Sequence, residues 1–195
     1  MNLYNYNAID KDVIQRLVTI VGEQYVVTDA EKMEPYSHDE VAEESYAHMP
    51  DVVVKPRTAQ EIAAIVKLAN EKRIPITPRG AGSGLSGGAV PIYGGILLSV
   101  ERMNQILEID TGNMMVVVEP GVVTNEINEK IKDCGLFFAG YPMSLETCYI
   151  AGNVAENAGG GKAIKYGVTE RYIMGLEVVT PTGEIIMLGG KRVKD

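Results

Sequence analysis

Backbone chemistry is concentrated in the stretch Pro78-Arg-Gly-Ala-Gly-Ser-Gly-Leu-Ser-Gly-Gly88. Gly80, Gly82, Gly84, Gly87, Gly88, Gly94 and Gly95 crowd together there, and Gly159 to Gly161 form a triplet. The chain holds 21 glycines in 195 residues, where an average chain of that length holds roughly 14. Glycine weakens helices and strands, so such clusters mark places where the backbone approaches a ligand or turns sharply. Gly82-x-Gly84-x-x-Gly87 matches the dinucleotide fingerprint, but that fingerprint needs a helix to open at its last glycine. Gly88, Pro91, Gly94 and Gly95 follow instead, and no helix survives them. A Walker-type loop fails as well, because no Lys-Ser or Lys-Thr closes it. What remains is a loop whose successive N–H groups form an anion-binding nest, with Arg79 adding positive charge or bracing it. The plain alternative is a tight connection between strands.

A second candidate is Ile150-Ala-Gly-Asn-Val-Ala-Glu-Asn-Ala-Gly-Gly-Gly161. Its small residues permit close approach by a flat ligand or by a second backbone, and a close-packed helix with a glycine exit fits equally well. Asn153 and Asn157, four apart, are expected on one helical face. Metal chemistry finds little support. His38 and His48 are the only histidines, and Cys134 and Cys148 are the only cysteines, too few for a metal knuckle or a disulfide framework. The thiols read as reduced and partly buried, the histidines as solvated, and no residue is assigned a catalytic role.

The elements that must position these loops follow from spacing. Asp10 is a plausible N-cap and Gly22 a stop for a helix with Val13, Ile14, Leu17, Val18 and Val21 on one face. Residues 28–50, with an acidic run from Asp39 to Glu44, read as a polar surface connection. Val52-Val-Val54 is a short apolar strand. Thr58-Ala-Gln-Glu61 is a capping box for a helix carrying Ile62, Ile65, Val66 and Ala69, and Ile74 to Thr77 is the next strand. Strand, helix and strand over residues 51–77 suit a crossover with parallel strands. Ile96 to Val100 is a third strand. Thr111-Gly-Asn113 and Pro181-Thr-Gly183 are hairpin turns, Thr124 is the expected cap of a helix through Ile127 and Ile131 that stops at Gly135, and Ile150 to Ala158 is a short helix. The expected class is α+β, a small parallel β-α-β lobe followed by a larger, mostly antiparallel sheet lobe with flanking helices.

Composition narrows the function classes. A 46% apolar and 23% charged chain is ordinary for a globular protein and excludes disorder as its main state. A net charge of -8 with no basic stripe argues against nucleic acid. No apolar run approaches the ~20 residues of a membrane span. The start, MNLYNYNAID, has neither the basic nor the apolar region of a secretory signal, so the expected location is cytoplasmic.

In order along the chain stand Pro50-Asp-Val-Val-Val-Lys-Pro56, Pro78 to Gly88, Val118-Glu-Pro-Gly121, Ile150-Ala-Gly-Asn153, Asn157-Ala-Gly-Gly160 and Lys165-Tyr-Gly-Val-Thr169. Together they resemble the FAD-binding domain of the vanillyl-alcohol-oxidase (PCMH) type, and within it the flavin subunits of glycolate oxidases and D-lactate dehydrogenases. The resemblance divides the chain into an N-terminal segment, 1–49, and the FAD-binding domain, 50–195. It implies that Pro78, Arg79, Gly80, Ala81, Gly82, Ser83, Gly84, Leu85, Ser86, Gly87 and Gly88 cradle the FAD pyrophosphate. It adds Gly121 and sets Pro142 and Ser144 along the cofactor. It also places Ile150, Gly152, Asn153, Asn157, Ala158, Gly159 and Gly160 near the flavin ring, with Tyr166 and Gly167 as further contacts. Ser83 stands where relatives with covalent flavin carry a histidine, so FAD is expected to be non-covalent. Where the family usually shows Pro-Pro-Asp-Pro-Ser-Ser, this chain reads Ala139-Gly-Tyr-Pro-Met-Ser144, and only Pro142 and Ser144 carry over. The implied activity is hydride transfer from a small 2-hydroxy acid to FAD, with an electron-accepting partner subunit. The chain stops at Lys191-Arg-Val-Lys-Asp195, short of the family's later segment and substrate domain, which supply the base and any metal ligands. A non-catalytic nucleotide-binding or interaction module is the alternative. A flavin reductase of the cell-wall precursor pathway, which shares the fold, matches the motifs less well.

Overall fold

The structure is a computed structural model that describes residues 5–41, 46–140 and 142–191. Residues 42–44 of the acidic run, Tyr141 and the last four residues lie outside the described residues. The chain divides into two compact units, Met1–Arg102 with Val178–Ile186, and Met103–Glu177 with Met187–Asp195.

In the first unit, the Asp10 carboxylate accepts the Val13 N–H at 2.8 Å and caps helix α1, Lys11–Val21, which stops at Gly22. Val13, Leu17 and Val21, each four residues apart, are its buried face. Strand β1 (Val26–Val27) and helix α2 (Ala30–Met33) follow, then a 3-10 turn over Glu34–Tyr36. The expected surface connection over 28–50 is therefore partly folded, with Met33, Ser37 and Asp39 buried. Met33 packs on Val53 and Leu97, with Val27 and Tyr36 against them, so apolar side chains spaced through this polar stretch cover this part of the sheet.

Strand β2 (Val52–Val54), helix α3 (Ala59–Lys72), strand β3 (Ile76–Arg79) and strand β4 (Ile96–Ser99) complete the sheet. Thr58 caps α3 by accepting the Glu61 N–H at 3.2 Å. Glu61 reaches back to the Arg57 N–H at 2.6 Å, closing the predicted box. The strand order is β1-β2-β4-β3, with β1 antiparallel and the other neighbours parallel. The crossover from β2 to β3 is parallel as its length predicts, and β4 enters between the two. β2 and β4 are buried along their whole length, as strands covered on both faces must be, which explains their unbroken apolar sequence.

In the second unit, strands β5 (Ile106–Asp110) and β6 (Met115–Val118) form the first predicted hairpin. Its turn is fixed by Asp110, which accepts the Asn113 N–H at 2.9 Å. Helix α4 (Thr124–Ile131), helix α5 (Ile150–Ala155) and helix α6 (Ala163–Tyr166) follow. Val122, Ile127, Ile131 and Ile150 make the buried core, with Ile106, Val116, Val118, Leu136 and Phe138 packed against it. Thr124 does not cap α4: the cap is Val123, without a side-chain bond. Thr124 is buried inside the first turn and spends its hydroxyl on other partners. Strands β7 (Gly175–Val179) and β8 (Ile185–Gly189) pair as a two-stranded sheet. Among the described residues no helix is long and apolar enough to cross a membrane.

Candidate cofactor site

Pro78 and Arg79 belong to β3, paired with Leu98 and Ser99 of β4, so the loop proper opens at Gly80. It leaves the carboxyl end of a parallel strand, where open parallel sheets place their ligands. Of the two roles open to Arg79, the structure shows the bracing one. Its side chain is 7% exposed, and its guanidinium donates to the carbonyls of His38 (2.7 Å), Pro35 (3.0 Å) and Ala89 (3.2 Å). Burial draws its pKa down, against the opposing pull of Tyr36 and Asp39. Gly82 makes room for this side chain. Its φ is +74°, and a Cβ there would lie 2.1 Å from the Arg79 guanidinium.

Beyond Gly82 the backbone is free on one side. Among the described residues, the N–H groups of Gly82, Ser83, Gly84, Leu85 and Ser86 donate to no protein acceptor. Gly84 to Gly88 are exposed. A run of successive exposed donors without acceptors is what an anion-binding nest requires. The run ends at Gly87, whose N–H is taken by the Asp39 carboxylate at 2.9 Å.

Charged side chains gather at the carboxyl ends of the neighbouring strands. Lys55, just past β2, pairs with Glu101, just past β4, at 2.7 Å. Tyr36 and Ser99 donate their hydroxyls to the other oxygen of Glu101 at 2.8 and 3.0 Å. Burial opposes ionisation of Glu101, but the bonds from Lys55 and Tyr36 outweigh it and hold the carboxyl below its ordinary value. Burial likewise opposes the charge on Lys55, and its bonds to Glu101 and Tyr36 raise its pKa.

In the second unit, the predicted residues act mostly on each other and on their own scaffold. Asn153 is 2% exposed and donates to the Thr124 hydroxyl at 2.6 Å, where the Cys148 thiol also donates. Asn157 lies past the end of α5, in a left-handed conformation, and accepts the Glu170 N–H at 3.0 Å. The two asparagines therefore do not share a helical face, because α5 ends at Ala155. The carbonyl of Ala158 accepts from both the N–H and the hydroxyl of Thr169. Ile150 and Gly121 are buried, and the Gly121 N–H donates to Met103. Gly159 is packed under Val168, and Gly167 lies against the Arg171 side chain. Tyr166 meets Phe137 edge-on at 5.5 Å. Pro142, Ser144 and Gly160 are half-buried, and Gly152 is half-buried with open space beside its Cα.

The profile of the FAD binding domain matches residues 50–189. This chain belongs to that family. As a member of the FAD-binding-domain family it has FAD as its cofactor, and the motifs running from Pro50 to Thr169 fall within the matched span. The chain is 44% identical over 188 residues to glycolate oxidase subunit GlcD of Bacillus subtilis, covering 96% of this chain and 39% of that protein. It is 41% identical over 189 residues to a D-lactate dehydrogenase of Anaerostipes hadrus, covering 97% and 39%. The chain thus spans about two-fifths of the length of these curated relatives. Among solved structures, 4-ethylphenol oxidase from Gulosibacter chungangensis aligns with a TM-score of 0.81 at 26% identity, over 93% of this chain and 36% of that one. A p-cresol methylhydroxylase aligns with a TM-score of 0.70 at 27% identity, over 90% and 34%. The α+β class and the vanillyl-alcohol-oxidase type expected from the motifs both hold.

Two features escaped the sequence. The segment 35–41 touches the glycine loop, and its only local sign, Asp39 at the head of an acidic run, reads as solvated charge. The buried trio of Thr124, Cys148 and Asn153 joins residues up to 29 positions apart, a separation that leaves no local pattern.

Proposed function

We propose that this chain is the FAD-binding portion of an FAD-dependent 2-hydroxy-acid dehydrogenase or oxidase, and that its glycine loop holds the cofactor's diphosphate. The observation that carries the reading is the run of five N–H groups from Gly82 to Ser86 that meet no acceptor among the described residues, inside the span matched by the family. The donor set fits the group. A diphosphate brings several charged acceptors, and backbone N–H bonds to such acceptors are shorter and stronger than neutral ones. Arg79 supports this indirectly, since its donors are spent on carbonyls and leave recognition to the loop's own dipoles.

FAD, when bound, supplies the two-electron acceptor. This chain's residues bind and orient it, and Ser83, which has no imidazole, leaves it non-covalent. The substrate class is supported by the relatives, which are called glycolate oxidase, D-lactate dehydrogenase and D-2-hydroxyglutarate dehydrogenase, and all three acids carry a hydroxyl beside a carboxylate. The remaining carried-over positions in 121–167 belong to the same proposal, with Gly152 the one whose open side makes it the position to mutate first.

The test has two steps. Titrating the purified chain with FAD should quench flavin fluorescence saturably, and riboflavin, which lacks the diphosphate, should bind far more weakly. Equal binding of both would overturn the loop's assignment. Then an anaerobic mix of the FAD-loaded protein, at the relatives' full length, with glycolate, D-lactate and D-2-hydroxyglutarate should bleach the flavin band with at least one of them. No bleaching by any 2-hydroxy acid would overturn the substrate class.

A further inference from the structure

Residues 34–41 precede the span that the family profile matches, yet they grip the glycine loop along its length. At its entry, Arg79 donates to the carbonyls of Pro35 and His38. In its middle, the Glu40 N–H donates to the carbonyl of Gly84 at 3.0 Å. At its exit, Asp39 accepts the Gly87 N–H at 2.9 Å with one carboxylate oxygen and the Val41 N–H at 2.9 Å with the other. Asp39 is 6% exposed. A buried carboxylate persists only when its oxygens are satisfied, and here two backbone donors do that while the buried Arg79 cation provides the opposite charge nearby.

The consequence is directional. In a planar trans peptide the C=O and the following N–H point to opposite sides. Turning the Gly84 carbonyl toward Glu40 therefore turns the Leu85 N–H away from the 34–41 segment. Capturing Gly87 pins the loop's exit, so that Gly82 to Ser86 present their donors without a ligand to order them. A loop this rich in glycine is otherwise among the most costly to order, and ordering it at the moment of binding would subtract from affinity.

We infer that Asp39 is a positioning residue for the glycine loop, holding it in its anion-accepting form through Gly87 and Val41 without touching the cofactor. The inference rests on the reading of that loop as the diphosphate cradle. It assigns to the N-terminal segment a part in cofactor affinity that the matched domain alone does not contain.

The experiment compares the wild-type chain with Asp39→Ala and Asp39→Asn. Three quantities are measured: the dissociation constants of FAD and of ADP, the thermal midpoint without ligand, and amide hydrogen exchange across residues 82–88 without ligand. Asp39→Ala should weaken FAD by about tenfold to a hundredfold, the range for losing a charged hydrogen-bond partner. ADP, which keeps FAD's adenosine and diphosphate but lacks the flavin, should weaken by the same factor. Exchange at Gly87 should quicken, and Asp39→Asn, which keeps one acceptor oxygen, should fall between. If the alanine variant does not fold, the asparagine variant carries the same comparison. Unchanged FAD and ADP affinity in a folded variant overturns the inference and leaves the cradle standing. Failure of the wild-type chain to bind either ligand overturns the cradle itself.

Discussion

Replacing Gly84 by valine separates a ligand's space from the protein's own. No atom lies within 4 Å of where a Cβ at Gly84 would sit, and its φ lies outside the left-handed region, so the backbone strain that a glycine there suggests is absent. The folded protein should tolerate the side chain, and removing a glycine's freedom from the unfolded chain is worth up to about 0.4–1 kcal/mol in its favour. The thermal midpoint should hold or rise slightly. Binding should suffer. A phosphate oxygen must come within about 2.7–3.2 Å of a donor nitrogen, while carbon contacts settle near ~3.5–4.0 Å, so the branched side chain keeps the anion from the N–H groups of Gly84 and Leu85. Losing two charge-assisted bonds at about 1.5–3 kcal/mol each totals ~3–6 kcal/mol, or about two to four orders of magnitude in Kd. Gly82→Val is the contrast, because its φ of +74° and the Arg79 guanidinium 2.1 Å from the new Cβ put the damage in the protein. There the midpoint should drop, the backbone strain alone costing about 1–3 kcal/mol of stability. The assay is FAD titration by flavin fluorescence beside thermal melting by circular dichroism. An FAD Kd for Gly84→Val within threefold of wild type would refute the cradle.

Other consequences are accessible to simple measurements. FAD should leave the protein intact on acid precipitation, because Ser83 cannot form a histidyl link; flavin retained in the washed pellet would contradict this. Glu101 has its folded pKa held below the ordinary 4.5, so the stability it adds is present above that value and is lost as pH falls through the folded pKa. Urea melts between pH 6 and pH 3 should show a shallower acid loss in Glu101→Gln than in wild type, and parallel curves would exclude the Lys55–Glu101 pair as the source. Asn153→Ala removes a buried donor from the Thr124 hydroxyl and should cost about 1–3 kcal/mol of stability, read by urea unfolding. A loss under about 0.3 kcal/mol would show that this polar trio is not structural.

Local patterns announced what local forces decide. Asp10 and Gly22 bound α1, and Thr58 and Glu61 start α3, because a cap is satisfied within four residues of itself. The glycine loop was legible because so many residues without side chains have few other uses. Pairings over long separations were not. The sequence places β2, α3 and β3 in one crossover, but the entry of β4 between those strands depends on which apolar edges meet in space. Thr124 has the chemistry of a cap, yet it stands one residue inside α4 and Asn153 and Cys148 claim its hydroxyl. The resemblance sets Asn153 and Asn157 near the flavin ring, and no local pattern marks the bonds their side chains make to Thr124 and the Glu170 backbone. Residues 28–50 read as a surface connection because they are polar, and Pro35, His38 and Glu40 are indeed exposed. What the polarity does not announce is that their backbone groups and the Asp39 carboxylate bond to Arg79 and the loop.

The guanidinium of Arg79 fills the volume that Gly82 leaves vacant, and this joins the two positions into one heritable unit. Any side chain at 82 evicts an arginine that satisfies three carbonyls. Any short residue at 79 orphans those carbonyls and opens a void above the glycine. Each single step lies uphill, while a joint change can be far less severe than the sum of its parts. A library that randomises either site alone should therefore return almost only the parental residue. One that randomises both together is where a reshaped loop, with a different anion preference, can be found.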